Sequence, residues 1–319
     1  DRREGLIIRK NHAQAMNLIT ALELCPVIFT ECAISERLRR RTDIELHPTL
    51  FNTPLIYEET GRKRLTEIYD EYRAIALKAH LPILLCAPTW RIDEKRIKAA
   101  GFDSSMNRDA LKFMIGFSQE RQHTESPLFI GGLIGPKNDC YMPDASPSRE
   151  ESAAYHSWQV EQLAEGGASV VVAQTIPSVG EGLGMADALG RSGVPYIISF
   201  VADRYGRVLD TTPLDEAIRI IDNATAHPPA GYMVNCVYPT FLNAENQPEG
   251  FFDRLIGIQA NASSRDHDQL EGSEQLLQDP LSDWGREMIK LNRRFGVKIL
   301  GGCCGTDDTY LSFLAEQYQ

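Results

Sequence analysis

The segment Val297-Lys298-Ile299-Leu300-Gly301-Gly302-Cys303-Cys304-Gly305-Thr306 joins a short apolar run to a pair of cysteines flanked by glycines. The run is typical of a buried strand, and the glycines after it predict a bend, because glycine adopts backbone angles that other residues avoid. Side chains of neighbouring residues on a regular strand point to opposite faces. Cys303 and Cys304 can therefore serve one site only where the strand ends. We expect a helix after them, with Thr306 as its N-cap.

Similar apolar runs recur upstream, and most are followed by a longer stretch with helical spacing. They are continuously apolar rather than alternating, as expected of strands that are covered on both faces. Eight runs can be counted: Val27–Thr30, Pro82–Cys86, Leu128–Ile134, Ala168–Gln174, Tyr196–Val201, Tyr232–Val237, Leu255–Gln259 and Val297–Leu300. Strands that alternate with helices predict a parallel α/β fold. Eight repeats favour a closed (β/α)₈ TIM barrel over an open doubly wound sheet.

The segments between the runs supply helices and loops. Helical spacing is clearest over Leu65–Lys78, Arg149–Gly166, Leu214–Ala226, Trp284–Phe295 and Leu311–Tyr318. Residues 1–26 are predicted to form an N-terminal helical extension, and residues 27–319 a single barrel domain. Two polar stretches, Pro136–Ser148 and Asn261–Ser282, are predicted to be loops, the latter an insertion over one end of the barrel.

Composition narrows the class of protein. The chain has 319 residues, and its 33 basic and 44 acidic side chains give a net charge of −11. Such a balance argues against sequence-independent binding of nucleic acid, and the basic run 37–41 is interpreted as a solvated helix face. No apolar run approaches the ~20 residues that span a bilayer, and the first residues lack the apolar run of a secretory signal. Seven cysteines without a disulfide framework indicate a reduced, cytoplasmic setting.

A third cysteine extends the pair. Val234-Asn235-Cys236 lies at the end of the sixth predicted strand, so Cys236 meets Cys303 and Cys304 only if the sheet closes or curls. Three thiolates leave tetrahedral zinc one open position, which is the arrangement of a catalytic site rather than a structural one. Zinc deprotonates a thiol that binds to it, and the thiolate is the nucleophile. The three cysteines therefore predict a zinc centre that activates a substrate thiol.

Plainer interpretations remain open at these positions. Buried cysteines are common core residues, and Cys303 and Cys304 could form a vicinal disulfide or a redox site. A thiol–disulfide enzyme is less favoured, because the sequence has no Cys-x-x-Cys pair. The cysteines at 25, 86 and 140 are interpreted as structural, and the aromatic side chains of Trp90 and Tyr238 are assigned to packing.

Gly-Gly-Cys-Cys-Gly-Thr after a strand, with an upstream Val-Asn-Cys, resembles the homocysteine S-methyltransferase family. The resemblance extends from about Val27 to the end of the chain. Supporting matches are Ile28–Cys32, Gly131–Pro136, Ala173–Thr175, Ser199-Phe200 and Gly206–Asp210. It implies a (β/α)₈ barrel that binds zinc through Cys236, Cys303 and Cys304. It also implies methyl transfer to homocysteine from S-methylmethionine, betaine or a methylated folate.

The resemblance also implies roles at the other strand ends. Glu31 and Cys32 occupy the positions of the family's Asp-Gly pair, and Gln174 replaces a glutamate that helps to bind the amino group of homocysteine. We expect Glu31, Cys32 and Gln174 to contact the substrate. Asn235 is expected to contact the substrate as well and to support the loop that carries Cys236.

The leading hypothesis is therefore a zinc-dependent S-methyltransferase. Its partners are a small-molecule thiol acceptor and a methyl donor, with no nucleic acid and no membrane. An onium donor similar to S-methylmethionine or betaine needs no further cofactor, and a sulfonium is preferred. The alternative is a non-catalytic zinc-binding or thiol-binding barrel whose substrate pocket has diverged.

Overall fold

A computed structural model describes residues 16–266 and 276–318. Eight parallel strands close into a barrel in chain order, with the last strand paired to the first. The strands are β1 Ile28–Thr30, β2 Ile83–Cys86, β3 Leu128–Ile134, β4 Val170–Ile176, β5 Tyr196–Phe200, β6 Gly231–Val237, β7 Leu255–Ala260 and β8 Ile299–Gly302. Each lies within two residues of a predicted run at both ends. The prediction of a (β/α)₈ barrel is confirmed.

Most helices connect the strands on the outside of the barrel, whereas the first precedes β1 and the last follows β8. They are α1 Leu18–Leu24, α2 Ser35–Arg39, α3 Glu59–Lys78, α4 Glu94–Ala99, α5 Met106–Arg121, α6 Arg149–Glu165, α7 Val179–Ser192, α8 Leu214–Ala224, α9 Phe251–Arg254, α10 Leu281–Phe295 and α11 Asp308–Glu316. Short 3₁₀ turns lie at Thr53–Tyr57, Pro143–Ala145, Pro239–Leu242 and Ala244–Asn246. Among the described residues, no helix is long and apolar enough to cross a membrane.

The N-terminal helix closes one end of the barrel. Helix α1 begins after Asn17, whose side chain accepts a hydrogen bond from the Thr20 amide. Its buried residues Leu18 and Ala21 pack with side chains that fill the barrel interior. The helix predicted before residue 27 is thus present at Leu18–Leu24. Residues 1–15 of the predicted extension lie outside the described residues, and the domain division at residue 26 stays a prediction.

Side-chain alternation along the strands divides the apolar core into two layers. On β4, Val170 and Val172 belong to the cluster inside the barrel, whereas Ala173 belongs to the larger cluster between the barrel and its helices. Gln174 therefore faces the interior, at the carboxyl end of its strand. The same count places Ser199 of β5 and Asn235 of β6 on the inner face. The interior is apolar towards the amino ends of the strands and polar at their carboxyl ends.

Two loop boundaries differ from the prediction. The N-cap of α11 is Asp307 rather than Thr306, because the Thr306 hydroxyl donates instead to the carbonyl oxygen of Cys303. Helix α10 begins at Leu281, so the polar stretch that starts at Asn261 ends at Pro280. Residues 267–275 of this predicted loop lie outside the described residues.

Helix α7 is rich in glycine, and it is not among the stretches with the clearest helical spacing. Close packing explains at least one of these glycines. A Cβ on Gly184 would lie 2.3 Å from the carbonyl oxygen of Arg149 and 2.4 Å from the Cβ of Ser152, both at the start of α6. The glycine permits α6 and α7 to approach closely, at a cost in helix propensity of about 1 kcal/mol relative to alanine.

Candidate metal centre

Three sulfur atoms meet at the carboxyl end of the barrel. The Sγ atoms of Cys236, Cys303 and Cys304 all lie within 4.8 Å of one another. The Sγ of Cys303 is 2.8 Å from that of Cys236 and 4.0 Å from that of Cys304. Exposure rises across the cluster, since Cys236 is buried, Cys303 is half-buried and Cys304 is exposed. The cluster therefore has one side in the barrel and one side open to a ligand.

Cys236 reaches the cluster through an irregularity in β6. The register between β6 and β7 shifts between Asn235 and Val237, and Cys236 has a φ of 54°, in the left-handed region that few residues other than glycine adopt. At this shift the side chains no longer alternate regularly between the two faces of the strand. The Cys236 side chain therefore does not have to point to the face opposite that of Asn235. Such bulges commonly redirect a side chain near an active site.

Asn235 secures this irregularity with hydrogen bonds to strands β4 and β5. Its Oδ1 accepts from the Thr175 amide at 3.0 Å and from the Ser199 hydroxyl at 2.8 Å. Its Nδ2 donates to the Thr175 hydroxyl at 2.8 Å and to the Sγ of Cys236 at 3.3 Å. Thr175 is itself in the left-handed region, with a φ of 68°, at a register shift in β4. The fully buried amide thus fixes two strand ends and the first sulfur together.

Cys303 and Cys304 follow the end of β8, as predicted. The Cys303 amide donates to the carbonyl oxygen of Ala260 at 2.8 Å, and the Cys304 amide donates to Oδ1 of Asn261 at 3.1 Å. The chain then turns at Gly305, whose φ is 79°. Hydrogen bonds donated to the end of β7 and a glycine turn therefore present both thiols on one side.

Each of the three thiols has a pKa well above the ordinary value of a cysteine, and the cause is clearest at Cys303. The hydrogen bond with Cys236 raises the pKa of the Cys303 thiol well above its ordinary value, and burial raises it further. A cation at the cluster would replace the protons and remove this cost of ionisation, because metal-bound thiols are deprotonated.

The donor set fits a tetrahedral metal ion. Zinc–sulfur bonds of about 2.3 Å place the ligand sulfurs about 3.8 Å apart in a tetrahedron. The distance between Cys303 and Cys304 agrees with this spacing, and Cys236 has to move by about 1 Å from Cys303 to match it. In the described part of the chain, this is the one group of histidine, cysteine and acidic side chains close enough to hold a metal. A metal centre with three protein ligands is thus geometrically available.

The distances bear on the predicted redox alternative. A disulfide requires sulfurs about 2.05 Å apart, and neighbouring Cys303 and Cys304 are well beyond that distance. The shorter approach is between Cys236 and Cys303, and all three cysteines are free thiols. The vicinal pair that the sequence suggested is thus not the pair that the fold brings closest.

Glu31 lies just past β1 with its carboxyl group buried. Its Oε2 accepts from the Cys86 amide and from the Thr30 hydroxyl, each at 3.2 Å. Burial raises the pKa of Glu31 to about 7, against these hydrogen bonds, which lower it. Its backbone oxygen accepts from the Gly302 amide, two residues before Cys304. The predicted contact with substrate stays a prediction.

Cys32 and Gln174 occupy different surroundings. The Cys32 side chain is 2% exposed and packs in the outer cluster, where burial raises its pKa to about 12. A Cβ on Gly302 would lie 2.8 Å from its sulfur, so Cys32 packs behind β8 rather than beside the three sulfurs. Gln174 is half-buried on the inner face, where a substrate could reach it. Asn235 is inaccessible, and its contacts favour positioning of Cys236 over direct contact with substrate.

Sequence reasoning missed three residues around the centre. Asn261 holds the Cys304 amide, and Glu36 accepts from the Gly305 amide at 2.5 Å. Tyr141, in the loop after β3, lies close enough to the sulfurs that the negative charge of Cys236, together with burial, raises its pKa far above the ordinary value. No local pattern marks these side chains, because each reaches the centre from another part of the chain.

Comparisons with known proteins identify a family over most of the chain. A family model described as homocysteine S-methyltransferase matches residues 29–318. Homocysteine S-methyltransferase 2 of Arabidopsis thaliana is 28% identical over 304 residues, which cover 84% of this chain and 87% of the relative.

Solved structures of the homocysteine methyltransferase MmuM from Escherichia coli share the fold. The metallated form has a TM-score of 0.71 at 16% identity, with 93% of this chain and 98% of that chain covered. The oxidized form has a TM-score of 0.70 at 17% identity, with 93% and 97% covered. At these identities the likeness establishes the barrel architecture.

Proposed function

The chain belongs to the homocysteine S-methyltransferase family, and we propose that it moves a methyl group from an onium donor to the thiol of homocysteine with zinc as its metal. It is thus a methyltransferase that acts on a thiol. The main observation in favour of the zinc-dependent reaction is that the sulfurs of Cys236, Cys303 and Cys304 lie within 4.8 Å of one another at the carboxyl end of the barrel. These three side chains would hold the zinc.

The donor set favours zinc over harder ions. Thiolate ligands suit zinc, whereas magnesium and calcium prefer oxygen ligands. Zinc held by Cys236, Cys303 and Cys304 would lower the pKa of an acceptor thiol bound beside them, so that the acceptor would react as a thiolate at neutral pH. The graded exposure of the cluster supports this arrangement, because the open side lies at Cys304.

The transfer itself needs little from other side chains. The acceptor thiol loses its proton to solvent, and its sulfur attacks the methyl carbon of the donor. The new sulfur–carbon bond forms as the bond from methyl to the donor's sulfonium sulfur breaks, and that electron pair stays on the donor as a neutral thioether. The protein's part is to hold the acceptor and the donor in line, since orientation contributes several kcal/mol to such reactions.

Polar groups on the inner face orient the acceptor. The Gln174 side chain offers an amide oxygen to the acceptor's ammonium group, and the Glu31 carboxyl group lies at the end of β1 on the same rim of the barrel. A neutral amide binds an ammonium more weakly than a carboxylate does, because charge-assisted hydrogen bonds are roughly twice as strong. Gln174→Glu is therefore expected to tighten binding of homocysteine.

A sulfonium donor similar to S-methylmethionine is the preferred donor. Zinc-loaded protein is incubated with homocysteine that carries ¹³C in its carbon chain and with S-methylmethionine that carries deuterated methyl groups, and the products are analysed by mass. Methionine that carries both labels is the expected product of transfer, because the demethylated donor is methionine with the deuterated methyl group alone. Betaine with deuterated methyl groups tests the ammonium alternative in a parallel reaction.

The matched control is Cys303→Ser, which removes one sulfur. It is expected to lose doubly labelled methionine together with zinc. If zinc-loaded wild-type protein forms no doubly labelled methionine with either donor, the proposed substrates are wrong, and a different acceptor or a non-catalytic binding role takes their place.

A further inference from the structure

An arginine at the carboxyl end of the barrel lacks the partners that buried arginines normally have. Arg91 follows Trp90 in the loop between β2 and α4 and is half-buried. Its NH2 donates one long hydrogen bond, at 3.4 Å, to the carbonyl oxygen of Lys137. Its Nε is buried without a partner. Within residues 16–266 and 276–318, no carboxylate lies within 4.0 Å of this guanidinium, and Asp139 acts on it only at longer range.

The neighbouring Arg96 shows what full pairing looks like in the same place. Its guanidinium pairs with Asp93, donates to the Tyr155 hydroxyl at 2.9 Å and donates to the same Lys137 oxygen at 2.6 Å. A guanidinium carries five N–H donors in a fixed fork, and burying a charge without a partner is costly. The contrast between the paired Arg96 and the poorly paired Arg91 indicates that Arg91 binds a partner that is not part of the chain.

Arg91 is also held in position. Its guanidinium carbon lies 5.7 Å from the centre of the Trp90 ring. The Trp90 Nε1 donates to the backbone oxygen of Gln174 at 3.0 Å, which ties the loop to the end of β4. A fork that is stacked on an anchored ring loses less side-chain freedom when it binds a ligand.

The loop after β3 connects Arg91 to the sulfur cluster. Lys137, which accepts the bond from Arg91, begins the short segment that leads to Cys140 and Tyr141. Cys140 interacts electrostatically with both Arg91 and Cys236, so it lies within range of each. Gln174, whose backbone oxygen accepts the hydrogen bond from Trp90, has its side chain on the inner face of the barrel. Arg91 and the candidate metal centre are therefore on one rim of the barrel.

We propose that Arg91 binds the carboxylate of an amino-acid substrate whose reacting end lies at the three cysteines. The planar fork matches a carboxylate with two parallel hydrogen bonds. The inference rests on the proposed function for the identity of the substrates. Homocysteine and S-methylmethionine both carry such a carboxylate, so the test separates acceptor from donor.

Calorimetric titration of zinc-loaded protein measures the carboxylate's contribution directly. Homocysteine is compared with mercaptopropylamine, its analogue without the carboxylate, and S-methylmethionine with aminopropyl dimethylsulfonium. Wild-type protein is expected to bind the carboxylated member of one pair about ten- to a hundredfold more tightly, since a hydrogen bond to a charged group contributes about 1.5–3 kcal/mol. The pair that shows the preference identifies which substrate Arg91 binds.

Arg91→Met is expected to abolish this preference, and to leave the affinity for the decarboxylated analogue unchanged. Arg91→Lys keeps the positive charge but not the planar fork, and it is expected to retain part of the preference for the carboxylated ligand. Arg96→Met is the matched control, because it removes the other arginine on Lys137 and is expected to leave the preference intact.

The proposal is wrong if wild-type protein shows no preference in either pair, whatever the methyl-transfer assay gives. It is also wrong if Arg91→Met, folded as judged by its thermal unfolding midpoint, keeps the preference. An equal loss of affinity for both members of a pair would assign Arg91 a structural role instead. Should Arg91→Met fail to fold, Arg91→Lys and the wild-type pairs decide. Because binding is measured without turnover, failure of the proposed methyl transfer is recorded separately.

Discussion

Strands β6 and β8 deliver sulfur to the same centre by different means. β8 ends in a glycine-flanked turn, and Cys303 and Cys304 lie beyond the regular strand. Cys236 instead lies within β6, at a register shift and with a φ of 54° that costs a non-glycine residue roughly 1–2 kcal/mol. The first arrangement is local, whereas the second depends on Asn235 and its bonds to β4 and β5.

This difference predicts how strongly mutations near β6 and near β8 disturb the metal centre. A glycine turn holds its shape through the backbone itself and its nearest neighbours. A bulge with a strained residue persists only where surrounding contacts over-determine it. We therefore expect changes around β6 to disturb the metal centre more than equivalent changes around β8.

The largest effect is expected from Cys236→Ser. Structural zinc sites bind with about 10–16 kcal/mol over four ligands, so the loss of one sulfur is expected to weaken zinc binding on the order of several hundredfold. Methyl transfer should fall with it. Competition with a chromogenic chelator measures the affinity. Cys25→Ser is the control, because Cys25 lies between α1 and β1, and similar zinc affinities in the two variants would contradict the assignment.

Asn235→Ala tests the dependence of β6 on tertiary contacts. The change leaves the Thr175 amide and the Ser199 hydroxyl without their buried acceptor, and the free energy of unfolding is expected to fall by about 3–5 kcal/mol. Loss of such support also weakens metal binding about 10–100-fold.

Asn261→Ala is the matched variant on the β8 side. It removes one hydrogen bond, to the Cys304 amide, and is expected to cost about 1 kcal/mol. Urea unfolding and zinc competition measure both variants. If Asn235→Ala and Asn261→Ala lower stability and zinc affinity equally, the centre does not depend more on contacts around β6 than on those around β8.

Glu31, beside β8, should give the protein a pH dependence of stability. Its pKa is raised from 4.5 to about 7 by burial, so the folded state holds a proton that the unfolded state has released between these values. The resulting stability is fully present below pH 4.5 and is lost as the pH rises through about 7. Relative to Glu31→Gln, wild-type protein is expected to lose about 3 kcal/mol between these limits.

Urea unfolding at pH 5 and pH 8, chosen to bracket most of the change, compares the two proteins. Parallel changes in wild-type protein and Glu31→Gln would show that the carboxyl group does not titrate in this way. The glutamine keeps an acceptor for the Cys86 amide, so the variant isolates the charge.

A small effect on stability is also expected from Gly305→Ala in the β8 turn. Alanine at a φ of 79° costs about 1–2 kcal/mol, and its Cβ would also lie 2.9 Å from the Cβ of Ala262. Gly101→Ala is the control, with a φ of 76° and no neighbour within 4 Å of the added Cβ. Both variants should lose stability in thermal unfolding, and Gly305→Ala alone should weaken zinc binding. Weakened zinc binding in Gly101→Ala would count against a local cause.

The same contrast marks what the sequence could predict. The eight strands and the β8 motif could be predicted from local composition, because apolar runs and glycines determine the backbone conformation at their own positions. The bulge at Cys236 could not be predicted, since its φ depends on contacts from β4 and β5. Thr306 resembled an N-cap, but its hydroxyl turned back to Cys303. Asn261, Glu36 and Tyr141 were missed because closure of the barrel, rather than spacing along the chain, brings them to the centre.

X-ray absorption of the zinc-loaded protein tests the central claim most directly. If the two strands build one centre with an open position, the spectrum shows three sulfurs at about 2.3 Å and one lighter atom. Addition of homocysteine should raise the count to four sulfurs. A protein that binds no zinc, or a site with fewer than three sulfurs before homocysteine is added, would contradict the account.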